Sequence, residues 1–415
     1  MKKLFTLENL HLLLGVHIIL WLNSGCYDFI GDYVPSAVKM GIVGVWFGLS
    51  LIRCEKFFSK FVVTGYLLGF FYLMCLFSRR EGVEDYFAHY SMNVLCVLIT
   101  IMVFSYYFYY GTKEEVKILL IVFLLDVSLL TIRTMIKLQE IPALVRIVST
   151  GTDVRKLEWS KALPKAIGGY GLCYELVLMQ PMLSYILNKK KTKTIFKILI
   201  YGFILLFLFQ AQLTLAFLMY PIVVLVSYTF GQENHGMVSV TRLVLVILGI
   251  GVVSVLPALL QVIIESADTH MADRLNEVLG FLTENQTVGS DMQSRLELYT
   301  KSWNAFTQSP LWGAFGKKVY GSHSTLLDVL AAYGVAGLTG YFGIFAPIKQ
   351  TKRFFKEDNG ALQMLRFTQL AMVIISIANV LMISQTMLTT LIFMPLTIKY
   401  FAYKGEEQSR EIVPD

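Results

Sequence analysis

The chain has 415 residues, 55% of them hydrophobic and only 16% charged, with a formal net charge of +7. Typical globular domains carry roughly 25% charged residues, so this composition excludes an ordinary soluble protein. Several apolar runs reach the ~20 residues that cross a ~30 Å hydrocarbon core as a helix. Runs such as 61–77 and 243–260 are apolar on every side, which excludes the alternating pattern of a membrane β-barrel.

In chain order, helices are predicted at 9–23, 34–52, 61–77, 91–110, 117–136, 169–187, 195–209, 213–229, 242–261, 324–348, 366–384 and 386–402. The expected fold class is therefore all-α: a polytopic integral membrane protein of about 12 transmembrane helices, with residues 1–415 forming one transmembrane domain. Lys2 and Lys3 precede the first apolar run and no small-residue cleavage site follows it, so that run is read as a retained span. Five cysteines occur without CxxC or Cys/His spacing, and no zinc site is expected.

Basic residues set the expected orientation. With the N-terminus cytoplasmic, the inside loops hold Arg53, Lys56 and Lys60, then Lys113 and Lys117, then the cluster Lys189, Lys190, Lys191, Lys193 and Lys197, then Lys349, Lys352, Arg353 and Lys356. An even number of spans returns the C-terminus to the same side. Two long outer loops, 137–168 and 261–323, carry basic residues against this trend. Long loops translocate regardless of charge; the alternative is that they meet an anionic ligand.

In the first loop, Ile141, Leu144, Val145 and Val148 recur at helical spacing behind Pro142. Leu157, Trp159, Leu163 and Ile167 alternate with lysines, as in an amphipathic stretch lying in the membrane interface. In the second loop, helices are predicted at 271–282 and 291–307, with Asp291 favouring the N-terminal end of the latter. Asp126 lies inside an apolar span, where a carboxylate is costly; a pairing with Arg133 or with a basic residue of another helix is expected. Glu81, Glu84 and Asp85 read as a solvated acidic patch. No phosphate-binding glycine loop or metal-ligand cluster is present in the sequence, so any energy must come from an activated substrate or a gradient.

The segment 290–338 is a polar island between apolar runs. Arg295 lies on its predicted helix, followed by Trp303; Ser309-Pro310 ends that helix, because the residue before proline resists the α region. Pro-Leu-Trp-Gly-Ala-Phe-Gly fills 310–316, His323 stands at the mouth of the next span with Ser322 or Ser324 as a candidate cap, and Gly334, Gly337 and Gly340 permit close packing within it. A guanidinium suits bidentate contact with phosphate oxygens, and an imidazole titrates where it can abstract a proton at neutral pH. The plainer alternatives are an arginine paired with Glu297 or Asp291 and a histidine bonded to a loop.

This order, Arg295, Trp303, Pro-Leu-Trp-Gly-Ala-Phe-Gly, His323, then Leu-Leu-Asp-Val-Leu-Ala-Ala-Tyr-Gly-Val-Ala-Gly-Leu, resembles the O-antigen ligase and Wzy-type polymerase family of bacterial envelopes. The resemblance covers about fifty residues. His323-Ser324 departs from the family's His-Asn, and the tight link at 209–214 lacks the arginine that the family carries there. The resemblance implies a GT-C-like helical bundle with a large late extracytoplasmic loop holding short helices. It also implies metal-independent and cofactor-free glycosyl transfer at the outer face of a bacterial inner membrane. Residue by residue, it makes His323 the base and Arg295 a pyrophosphate-binding cation, with Arg274, Arg155 and Arg146 as candidates for a second cation. The implied partners are an undecaprenyl-pyrophosphate-linked oligosaccharide, membrane lipid and a chain-length regulator protein, with no nucleic acid. Polymerisation of repeat units is the favoured activity; ligation to lipid A-core and flipping of the lipid-linked sugar are the alternatives.

Overall fold

A computed structural model describes residues 6–31, 33–54, 56–58, 69–70, 73, 84–142, 144–150, 165–230, 261, 264–265, 272–273, 275–276, 279–280, 290–315, 324–379 and 383–402. Among these residues the protein is all-helical, with no strand. The helices are α1 Leu7–Asn23, α2 Asp28–Gly31, α3 Ser36–Arg53, α4 Glu84–Tyr109, α5 Lys113–Glu140, α6 Leu144–Thr150, α7 Tyr170–Lys189 and α8 Thr194–Gln210. They continue with α9 Thr214–Phe230, α10 Ser290–Gln308, α11 Thr325–Gly343, α12 Ala346–Phe354, α13 Asn359–Ala378 and α14 Ser384–Leu388. A π-helical turn, Thr389–Phe393, then leads into α15 Met394–Ala402.

Each predicted span that falls on described residues overlaps a helix, although the helix within 366–384 ends at Ala378 and 324–348 crosses a turn after Gly343. Three helical runs among the described residues, Ser36–Arg53, Thr325–Phe354 and Asn359–Ala378, are long and apolar enough to cross a membrane. This corrects the expectation that twelve would be. Four more apolar stretches are shorter, namely Leu7–Asn23, Asn93–Tyr109, Thr194–Gln210 and Thr214–Ser227. Glu175, Gln180 and Pro181 lower the apolarity of the continuous helix α7, and the last helical run is divided by the π turn. The predicted span 61–77 and the predicted span 242–261 lie mostly outside the described residues.

Local chemistry explains the ends. Thr112 and Glu115 form a reciprocal capping box at the start of α5, each side chain meeting the other's backbone N–H. Helix α1 is capped by Thr6 and ends at Ser24 in the left-handed conformation. Asp358 caps α13 by accepting from Ala361 N at 2.9 Å.

Helix α7 is buried on nearly every face, from Gly171 to Tyr185, so it forms the axis of the bundle. It packs against α9, α13, α14 and the π turn. Its buried Gln180 is bonded within the bundle: Tyr220 donates to Gln180 Oε1 at 3.1 Å, and Gln180 Nε2 donates to Ser184 Oγ at 3.1 Å.

Contacts join the loops in two groups. In one group, Arg53 meets Glu115 at 3.3 Å and Glu8 at 3.7 Å, Phe354 packs on Phe108 and Tyr109, and Asp358 meets Lys189 at 3.3 Å. In the other group, the starts of α7, α11 and α14 meet the ends of α1 and α13. The first outer loop contains α6, as its spacing predicts, although α5 runs on to Glu140 before it begins. Of the predicted helix 271–282, the described residues are helical, and Leu275 packs against Phe209 and Phe217 at the α8–α9 turn.

Candidate functional site

Helix α10 lies where the 291–307 spacing predicts it. Three anchors fix it. Tyr299 donates to Ala378 O at 3.0 Å, buried Ser302 donates to Asp328 Oδ1 at 3.2 Å, and Ala305 packs on Ala331 with Ala314. Burial pushes the Tyr299 phenol above its ordinary value, with the nearby Arg295 charge opposing and Asp328 reinforcing the rise, so Tyr299 serves as a neutral donor. Trp303, which follows Arg295 in the motif, is half exposed and touches Phe306.

The 310–315 turn is built into the middle of α11. That helix is interrupted at Gly334, whose φ of 61° and ψ of −155° lie outside the helical region. The interruption frees backbone groups on both sides of the break, and the turn binds them. Ala314 N and Phe315 N donate to Ala331 O and Ala332 O at 2.8 and 2.9 Å, while Val335 N and Ala336 N donate to Pro310 O and Leu311 O at 2.8 and 3.1 Å. Four backbone bonds thus replace those that a continuous helix would make, as buried backbone requires. Glycine is needed at both contact points: a Cβ on Gly313 would lie 2.5 Å from Ala332 C, and one on Gly334 would lie 2.5 Å from Leu311 C. Both glycines also have positive φ.

The start of α11 is fixed with equal care. Ser324 caps it, accepting from Leu327 N at 3.2 Å and donating to Ser376 O at 3.1 Å. Thr325 N donates to Asn379 O at 3.2 Å, and Asn379 Nδ2 donates to the Tyr174 hydroxyl at 2.6 Å. Arg295 interacts electrostatically with both Tyr174 and Tyr299. Its charge is therefore felt by residues that contact the end of α13, and the start of α11 docks on that same end.

The predicted site residues separate accordingly. Arg295 is at this junction. Arg146 is on the exposed side of α6, a helix whose Ser149 accepts from Tyr170 N at 2.6 Å, one turn before Tyr174. His323, Arg155 and Arg274 lie outside the described residues. The sequence reading missed Tyr174, Asn379 and Ser376, which are spaced by long stretches of chain and sit in apolar spans with no local motif. It read Gly334 as a packing glycine, whereas its φ breaks the helix. The sequence offers Asp126 either Arg133 or a basic residue of another helix as its partner. Instead Asp126 accepts from Asn23 Nδ2 and Cys26 N, both at 2.7 Å, while Arg133 donates to Lys165 O and lies over the Phe29 ring.

Among the described residues, no group of three or more His, Cys, Asp or Glu side chains converges as a metal-ligand set. Neither a family model nor a curated protein matches the sequence.

Proposed function

We propose that the chain is a membrane glycosyltransferase that polymerises lipid-linked oligosaccharide repeat units at the outer face of a bacterial inner membrane. In this reading the membrane helices form a GT-C-like bundle, both termini are cytoplasmic, and the 261–323 loop lies outside. The donor is a glycan on undecaprenyl pyrophosphate. The acceptor is a sugar hydroxyl on a second lipid-linked unit.

His323 takes the proton of the acceptor hydroxyl. The freed oxygen attacks the anomeric carbon of the donor, the glycosidic bond forms, and the bond to pyrophosphate breaks with its electron pair leaving on the diphosphate. Arg295 stabilises that developing charge, a role for which a pre-positioned guanidinium is suited. The supporting observation is that the Arg295 charge acts on Tyr174 and Tyr299, whose hydroxyls bond the end of α13, and that Ser324 and Thr325, the residues following His323 in the chain, bond the same end. The two candidate groups are 28 positions apart in the chain yet belong to segments that dock on one place. Arg146, Arg155 and Arg274 remain the candidates for a second cation.

Loss of Arg295 in Arg295→Ala is expected to cost about 10²- to 10³-fold in transfer, and His323→Ala about 10²- to 10⁴-fold. The measurement is the ladder of glycan lengths in cells that carry each variant, after membrane insertion of the variant has been checked. Wild-type ladders from both variants refute the assignment. Long lipid-linked chains that fail to reach lipid A-core identify a ligase instead.

A further inference from the structure

A second polar constellation lies inside the bundle and has no part in the reaction above. Asp126 of α5 and Glu175 of α7 are 2% and 0% exposed. One helical run links them: Gln385 donates to Asn23 O at 3.1 Å, Asn23 in turn donates to Asp126, and Thr389, one turn beyond Gln385, donates to Glu175. Among the described residues neither carboxylate has a lysine or arginine within ion-pair distance. Two sealed carboxylates without a cation are expensive, because a buried charge needs a partner.

Their remaining contacts are specific. Glu175 Oε1 accepts from Thr389 Oγ1 at 3.0 Å, and Thr389 opens the π-helical turn, an irregularity that tends to occur at functional positions. Asp126 is held by the Asn23 amide and by Cys26 N, with the chain drawn so near that a Cβ on Gly25 would lie 2.6 Å from the Asp126 carboxyl carbon. Two buried oxygens are left without a hydrogen-bond partner, Glu175 Oε2 and Asn23 Oδ1.

From this geometry we infer that Asp126, Glu175, Asn23 and Thr389 form a binding site for a sodium ion in the bundle core. The donors are all hard oxygens, carboxylate, amide and hydroxyl, which suit an alkali or alkaline-earth cation rather than a soft metal. A proton would neutralise one carboxylate but satisfy one oxygen, whereas a metal ion is coordinated by several at once. Mg²⁺ retains several of its waters, which a site this closed to solvent does not favour. The site joins α1, α5, α7 and the π turn, so an occupied site ties four separate parts of the chain together.

The test uses the purified full-length protein in detergent micelles. Binding of radioactive sodium is measured by equilibrium dialysis. Thermal unfolding is followed by tryptophan fluorescence in sodium chloride against choline chloride, at fixed pH and ionic strength. One ion bound per chain is expected, with a midpoint that rises with sodium and then saturates, as a ligand specific to the folded state requires. Glu175→Gln keeps the shape and the Thr389 contact, and is expected to abolish both effects. Thr389→Val is expected to weaken sodium binding about 10- to 100-fold; it stands as the second variant should the glutamine protein not fold. Sodium behaving like choline in both measurements on the wild-type protein overturns the inference, as does wild-type affinity in both variants. A midpoint that responds to pH but not to sodium assigns the site to a proton and equally overturns it.

Discussion

At the scale of single residues, Asp358 shows how one side chain fastens two helices. It caps α13, accepts from the Tyr185 hydroxyl at 2.8 Å and meets Lys189 at the end of α7. Burial works to raise its carboxyl, but the Ala361 N–H, the Tyr185 hydroxyl and the Lys189 charge outweigh burial and hold it below the ordinary carboxylate value. A carboxyl whose folded value is depressed contributes stability above its unfolded value, near ~3.9, and loses it as pH falls through the folded value. Asp358→Ala is therefore expected to cost about 1 kcal/mol near neutral pH, the usual worth of a cap. The gap from the wild-type protein should close as pH drops below about 4. Thermal unfolding of both proteins across pH 3–7.5 checks this, and a gap independent of pH refutes it. Asp358 was not legible in the sequence as a fastening point, because two of its three partners lie more than a hundred residues away in the chain. Asp126 taught the same lesson in reverse: its cost in an apolar span was plain, but Arg133, its nearest cation in sequence, turned out to bond a carbonyl and an aromatic ring instead.

At the scale of elements, the glycine pair that joins the 310–315 turn to α11 makes a sharper claim. Gly313 and Gly334 each fill a place where a Cβ would strike the other segment's backbone. Gly334→Ala is expected to destabilise by about 2 kcal/mol or more, from strain at positive φ together with the collision. Gly313→Ala should act similarly. Because either change loosens the same four backbone bonds, the double variant should cost less than the sum of the two, a coupling read directly by a double-mutant cycle. Gly41→Ala on α3, where a Cβ would meet nothing within 4 Å, serves as the comparison and should be neutral or slightly stabilising. Additive losses from the two glycines would show that the lock is not shared. The helices themselves were readable because apolar runs and charged loops alternate along the chain. The end of α10 was readable too, since Ser309-Pro310 stops a helix for steric reasons. What glycine spacing alone could not distinguish is close packing of an intact helix from a break within it, because both call for a missing Cβ.

At the scale of the whole molecule, Arg53 meets Glu115, Phe354 packs on Tyr109 and Asp358 meets Lys189, all in loops that basic residues assign to one side. A cysteine-free background carrying Lys190→Cys should react with a membrane-impermeant thiol reagent only after the cells are opened. Thr300→Cys, on an exposed face of α10, should react from outside. The opposite pattern would invert the orientation and remove the outer-face reaction. The count of spans was the least legible property. Among the described residues, length and apolarity together pick out three helices, since buried polar residues and 17-residue lengths blur the signal in others.

The final helical run reaches across the molecule: Gln385 donates to Asn23 O, Thr389 to Glu175, and buried Lys399 to Tyr107 O and Gly111 O at 2.9 and 2.8 Å. Each of those acceptors is synthesised more than two hundred residues earlier. The early helices must therefore wait in the bilayer, their carbonyls unmet, until the ribosome has released almost the entire chain. A premature stop just before residue 384 would leave an unclosed bundle, which quality-control proteases are expected to clear, whereas one after Ala402 would leave the closure intact.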